Sequence, residues 1–176
     1  SCIIEADDVQ TIGENENEEI VSEGNVGTFS DLRQKIQDAG DDNTITLDSD
    51  YEADDSGYID FSYSRMVIDG KGHKIDGAGQ ARILAAGSNA QGTRLGVNGL
   101  VLINISFENA YNNDTNIDKE HAFGALQIWG NASVKNCNFT DNEARCAAAI
   151  GIGAGTYVNI TNCIFKGNSA WNVGGG

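Results

Sequence analysis

Lys135-Asn136-Cys137-Asn138-Phe139-Thr140-Asp141-Asn142 is followed 26 positions later by Thr161-Asn162-Cys163-Ile164-Phe165-Lys166-Gly167-Asn168. A weaker copy, Ile103-Asn104-Ile105-Ser106-Phe107, precedes the first by 32. Self-similarity at a period of a few tens of residues marks a chain built from stacked units. In every copy an Asn stands three residues before a Phe, with a small or apolar residue directly after the Asn. The two later copies also place an Ala five positions beyond the Phe, at Ala144 and Ala170.

Side-chain phase identifies the unit. In the third copy Val158 and Ile160 alternate with Asn159 and Thr161, as in a half-buried strand. Cys163 and Phe165 belong with the apolar set, although strict alternation would put Asn162 there instead. One residue in a non-strand conformation restores the phase, and Asn is the non-glycine residue that best tolerates the left-handed region. Leu102, Asn104, Ile105 and Phe107 break phase at the same point, as do Val134, Asn136, Cys137 and Phe139. A one-residue corner recurring between two strands predicts an all-β solenoid, a parallel β-helix, rather than a sandwich or barrel. The leucine-rich frame Leu-x-x-Leu-x-Leu is absent, which removes the alternative solenoid.

Stacking of such units would place Asn104, Asn136 and Asn162 in a ladder, with Phe107, Phe139 and Phe165 as an aromatic core stack. Cys137 and Cys163 join that stack, either as two small hydrophobes or as a disulfide between neighbouring rungs. Strands about 4.8 Å apart fall within the Cα range of a disulfide, near its short end. At Phe107-Glu108-Asn109-Ala110 the second Asn comes one residue early, so a different corner is expected there.

The composition fits many short strands joined by tight turns: no Pro and 22 Gly in 176 residues. A net charge of −15 argues against nucleic acid and anionic membrane as partners. No run reaches the 18 or so apolar residues of a spanning helix, so no membrane insertion is expected. Residues 1–26 hold eight Asp or Glu and no Lys or Arg, and read as an acidic tail or linker. Ser1-Cys2-Ile3-Ile4 is too short to be more than the stump of a leader, and the acidic stretch that follows would suit a mature N-terminus just past a cleavage point. Residues 27–176 form the solenoid. A helix over 29–39 follows Thr28 or Ser30 as cap, carries Leu32, Ile36 and Ala39 on one stripe, and ends at Gly40. Strands are expected near 44–47, 58–61, 66–68, 74–75, 82–85, 100–103, 125–129, 133–135, 148–152 and 157–161. Residues 110–121 read as an inserted loop. Trp171-Asn172-Val173-Gly174-Gly175-Gly176 resembles the opening of a further rung, so the chain is expected to continue or to have its open strand edge covered.

Several segments together carry a resemblance: Gly27-Thr28-Phe29-Ser30-Asp31-Leu32 with its helix, Asp41 to Leu47, Val67-Ile68-Asp69-Gly70-Lys71-Gly72-His73-Lys74-Ile75-Asp76-Gly77, and the Asn-Cys-x-Phe-x-x-Asn repeats. Over about residues 27–176 the chain resembles the N-terminal part of adhesin-like surface proteins of methanogenic archaea. Its rungs are similar to those of the right-handed, pectate-lyase-like β-helix superfamily and of chlamydial polymorphic outer-membrane proteins. The resemblance implies a right-handed parallel β-helix, here of about five coils, whose helix 29–39 caps the N-terminal end. It is specific for fold and weak for function, because lyases, hydrolases and adhesins share these rungs.

Catalysis on such a scaffold needs paired carboxylates, or calcium with an activating base, in a cleft along its side. Asp54, Asp55, Asp69, Asp76, Asp141, Arg145 and His73 are the candidates. Each has a scaffold reading: Asp-Gly turns at Asp69 and Asp76, a loop at Asp54 and Asp55, a corner between rungs at Arg145. No catalytic, cofactor or metal residue is therefore assigned, and calcium has only the acidic charge in its favour. The expectation is a non-catalytic, extracellular cell-surface module, adhesin-like or structural, of a kind that could form part of a longer stalk or fibre. Its partners would be a surface protein, a glycan or its own open end. The alternatives are a carbohydrate-binding module, with Tyr111, Trp129 and Trp171 stacking on sugars, and a polysaccharide lyase or hydrolase fragment. Five sequons begin at Asn104, Asn113, Asn131, Asn138 and Asn159. Outward strand positions (Asn138, Asn159) and loops (Asn113, Asn131) would carry glycans, and Asn104 would not.

Overall fold

The structure, a computed structural model, describes residues 24–88, 93–114 and 122–173. Most of the acidic tail, residues 115–121 and Gly174–Gly176 lie outside the described residues. Four sheets hold the strands, and every strand pairing within them is parallel. The first sheet runs in the order Gly27–Thr28, Tyr51–Glu52, Lys74–Asp76, Ser106–Glu108, Asn138–Thr140, Ile164–Lys166. The second runs Thr44–Thr46, Val67–Asp69, Val97–Ile103, Gly130–Lys135, Val158–Thr161. The third runs Ile59–Phe61, Leu84–Ala86, Leu126–Ile128, Ile150–Ile152, and the fourth Tyr111–Asn112, Glu143–Cys146, Ser169–Val173. After its helix the chain visits the second, first and third sheets in turn, adding one strand to the edge of each. From Tyr111 onward it inserts the fourth sheet between the first and the third. This architecture is consistent with a parallel β-helix.

Registers place like on like. Ile45, Ile68, Leu102, Val134 and Ile160 form one column. Tyr51, Ile75, Phe107, Phe139 and Phe165 form a second, and Ile59, Leu84, Leu126 and Ile150 a third. These columns make one continuous buried core. Each fully buried large apolar side chain contributes on the order of 1.5–3 kcal/mol relative to exposure. At the last strand of the first two columns burial declines, with Ile160 38% exposed and Phe165 43%, whereas Ile150 at the end of the third is still buried.

The helix spans Phe29–Ala39 because both ends are specified locally. Thr28, in extended conformation, accepts from the Asp31 backbone while the Asp31 carboxylate accepts from the Thr28 N–H. Gly40, with φ 68°, ends it. Phe29, Leu32 and Ile36 are buried, so Phe29 replaces the expected Ala39 as the third member of the apolar stripe, and Ala39 is only partly covered. That face packs over the first strands of three sheets. Arg33 ties the helix to the next loop, donating to the carbonyls of Ser56, Gly57 and Tyr58 at 3.3, 2.9 and 3.1 Å.

Two sequence expectations need correction. Tyr111–Asn112, assigned to an inserted loop, is a strand pairing with Glu143 and Ala144. Its polar composition hid it, because only the partner strand shows that it pairs. The corner after Phe107 does not differ from its counterparts: Asn109, Asp141 and Gly167 all adopt positive φ, at 50°, 53° and 67°. Three different residue types serve one backbone requirement.

Candidate functional site

Asn104, Asn136 and Asn162 have φ values of 57°, 51° and 52°, so each occupies a left-handed corner between the second and first sheets. Asn136 Nδ2 donates to Asn104 Oδ1 at 3.4 Å, and Asn104 Nδ2 donates to Asp69 Oδ1 at 3.0 Å. The column therefore begins on the carboxylate of an Asp-Gly pair. The second such pair does the same at the next corner, where Asn109 Nδ2 donates to Asp76 Oδ1 at 3.1 Å. Reading Asp69 and Asp76 as turn residues alone missed this role.

Phe107, Phe139 and Phe165 stack nearly parallel, with centroids 4.9 and 5.1 Å apart. Cys137 and Cys163 are free thiols at equivalent places, the first buried and the second half-buried. Burial pushes the Cys137 thiol up to about 11, with its neighbour Cys163 adding to the effect. It is a core group rather than a nucleophile.

The sequence places Asn142 and Asn168 at the end of the two later repeats without showing what they do. Asn142, fully buried, donates to the Phe107 carbonyl at 3.1 Å and accepts from the Ala110 N–H at 2.9 Å. Asn168 repeats the arrangement one strand on, donating to the Phe139 carbonyl at 2.8 Å and accepting from the Asn142 amide at 2.8 Å. These side chains satisfy backbone groups that the corner would otherwise strand inside. The signal was the Asn three residues after each later Phe, lost where Ala110 occupies that place.

The candidate catalytic groups are dispersed and engaged. Asp54 accepts from the Ser30 N–H at 3.0 Å, at the helix start, and from the Ser56 N–H at 2.9 Å and hydroxyl. Burial opposes its ionisation, but these bonds win and hold its carboxyl well below the usual range. Asp55 is exposed in the adjoining turn. Asp69 is lowered chiefly by the Lys71 N–H, then by Asn104. Asp76 is 8% exposed; burial would raise it, yet bonds from Ala78, Asn109 and Lys74 bring it down. His73 Nδ1 lies 3.0 Å from Asp50 Oδ1. Asp141 sits at a corner directly over Gly167, where a Cβ would come within 2.0 Å of its Oδ1. Arg145, expected at a corner, lies instead within the strand Glu143–Cys146. Among the described residues no three His, Cys, Asp or Glu side chains converge as a metal site.

The aromatic candidates divide in the same way. Trp129 is covered: the Arg94 guanidinium lies 3.9 Å from its ring centroid, and a Cβ on Gly153 would meet its Cε3 at 2.0 Å. Tyr111 and Trp171 face each other at 6.4 Å, tilted by 45°, with Trp171 50% exposed. Of the sequon residues, Asn113 is exposed outside regular structure, and Asn138 is exposed with its Nδ2 on Ser106 Oγ at 3.2 Å. Asn131 is in the strand Gly130–Lys135 rather than a loop, because its partner residue Asn98 extends the ladder one step before a bulge.

That bulge borders an open surface groove. Asn131 pairs with Asn98 and Ala132 with Leu100, leaving Gly99 unpaired with φ 72°. A bulge bends its strand and re-aims the flanking side chains. The outer face of the second sheet there carries an open groove of about 450 Å³, bordered by Asn98, Gly99, Asn131, Ser133, Tyr157 and Asn159. Tyr157 is 82% exposed, the most exposed of the large hydrophobic side chains. The sequence gives no hint of this groove, since Gly99 becomes a bulge only against a strand some thirty residues away. No protein-family model matches this chain, and neither a curated protein nor a solved structure shows a significant likeness to it.

Proposed function

We propose that the chain is a right-handed parallel β-helix of about five coils, acting as a non-catalytic, extracellular cell-surface module of adhesin-like or structural kind. The observation that carries this reading is the commitment of the candidate carboxylates to the scaffold. Asp54 anchors the start of the helix, Asp69 and Asp76 each begin a corner column, and Asp50 holds His73. A general acid or base must be free to face a reacting atom, ideally with a pKa near working pH. Asp54, Asp69 and Asp76 are held low and tied to backbone amides instead. The resemblance of the rungs to those of archaeal and chlamydial surface proteins supports the location. Asn113 and Asn138 suit glycan attachment on such a surface. Asn131 and Asn159 share the groove with Tyr157, and a different role is assigned to them.

Two measurements test the proposal. The purified chain is incubated with neutral and acidic polysaccharides while reducing ends and unsaturated products are followed; no turnover is expected. Turnover that disappears on D69N or D76N, with the fold intact, would overturn the non-catalytic reading. Intact source cells are also labelled with an impermeant biotinylating reagent. The chain should be recovered without lysis, and recovery only after lysis would overturn the surface location.

A further inference from the structure

We propose that the bulged groove on the outer face of the second sheet binds an uncharged oligosaccharide. This deepens the surface-module reading by naming the class of partner, and rests on it for biological context only.

The argument starts from charge. The chain carries −15 overall, yet none of the side chains bordering the groove is charged at neutral pH. Arg65 packs its stem beside Gly99 and commits its charged end to Asp42. A neutral window in an acidic surface disfavours anionic ligands approaching through the field around it, and offers cations no counter-charge. What remains is a ligand recognised by hydroxyl-directed hydrogen bonds and by apolar contact.

The groove supplies both. Asn131 Oδ1 accepts from the Tyr157 N–H at 3.1 Å, and Asn159 Oδ1 accepts from the Thr161 hydroxyl at 3.2 Å. Each oxygen thus has a partner, which leaves the Nδ2 donors to meet a ligand. Asn98 and Asn131 stand in register on adjacent strands, as do Ser133 and Asn159. Two rows therefore each offer a pair of polar side chains one strand interval apart, about 4.8 Å, enough to meet more than one unit of a chain-like ligand. Tyr157 stands at the rim with its ring in solvent, an aromatic face of the kind that C–H-bearing sugar faces pack against. Gly99, with its positive φ, adopts the bulge without strain and brings no side chain to the groove.

The test uses the full chain, isotopically labelled and produced in a host that adds no N-glycans. Cellohexaose, mannohexaose and a β-1,3-glucan hexamer are titrated in separately, with hexagalacturonate as the charged comparison, and amide shifts are followed by NMR. At least one neutral hexamer should perturb the side-chain amides of Asn98, Asn131 and Asn159, and hexagalacturonate should not. Y157A should weaken binding about tenfold or more, while W171A, on another face, leaves it unchanged. N159D, which puts a charge into the window without removing bulk, should weaken it likewise. No shift with any neutral hexamer overturns the proposal, as does binding insensitive to both Y157A and N159D. Tighter binding of hexagalacturonate overturns the charge argument and the proposal with it. An N-glycan found by mass spectrometry on Asn131 or Asn159 of the native protein would also overturn it, by filling the groove covalently. None of these outcomes bears on surface location, which the labelling of intact cells decides separately.

Discussion

At the scale of the residue, two kinds of asparagine do opposite jobs a few positions apart. Asn136 supplies a backbone conformation: its φ of 51° costs most residues about 1–2 kcal/mol. Asn142 supplies hydrogen bonds to buried backbone groups, where an unsatisfied partner costs about 1–3 kcal/mol. Substitutions should separate them. N136G should retain most of the stability that N136A loses, about 1–2 kcal/mol by denaturant titration, since glycine adopts the corner without strain. N142G should rescue nothing relative to N142A, because both leave the Phe107 carbonyl and the Ala110 N–H without their partner. Equal behaviour of the two glycine variants would contradict this division. The corner asparagines were readable in the sequence because phase alternation breaks at Asn104, Asn136 and Asn162 alike. The internal pair closes the two later repeats, but its buried role was not readable, because no break in phase marks it and Ala110 takes the place in the first copy.

At the scale of the element, the Phe29–Ala39 helix depends on tertiary packing more than on its own length. Eleven residues are marginal for an isolated helix in water. Its capping box and the Arg33 bonds to Ser56, Gly57 and Tyr58 fix where it starts and where it lies. T28A should destabilise the protein by about 1 kcal/mol, seen as a lower melting temperature and faster amide exchange in the first helical turn. Exchange that is unchanged in that turn would show that packing alone sets the helix start. The helix was legible in its cap, its apolar spacing and Gly40. The short strands were less so: Tyr51–Glu52 and Tyr111–Asn112 have two residues each, too few for a periodic pattern, and only their partners define them.

At the scale of the molecule, the lowered carboxylates are unevenly placed. Asp42, Asp48, Asp50, Asp54, Asp69 and Asp76 are all depressed, through hydrogen bonds and neighbouring cations that outweigh burial. Asp60, in the same stretch, is raised by burial and is the exception in sign. A depressed group adds stability above its unfolded value, near 3.9, and loses that contribution as pH falls through the lower folded value. Acid should therefore attack the N-terminal half first. Between pH 5 and pH 2, amide exchange should accelerate across residues 42–76 before residues 126–152. Simultaneous loss in both halves would contradict the placement. The stacked parallel architecture followed from one corner read three times, whereas the groove depends on a register shift between distant strands and has no local signature.

Because Phe107, Phe139 and Phe165 lie in one column, and so do the residues on either side of them, the chain has interchangeable storeys. Excising residues 137–162 would join Asn136 directly to Cys163 and lower Phe165 onto Phe107. The shortened protein should still unfold cooperatively, at a lower temperature, with its far-ultraviolet spectrum preserved per residue. It would also lack Tyr157 and Asn159. Height and the proposed groove are thus separable by a single deletion: the stack can lose a whole storey, and with it Tyr157 and Asn159, without redesigning the wall that carries them.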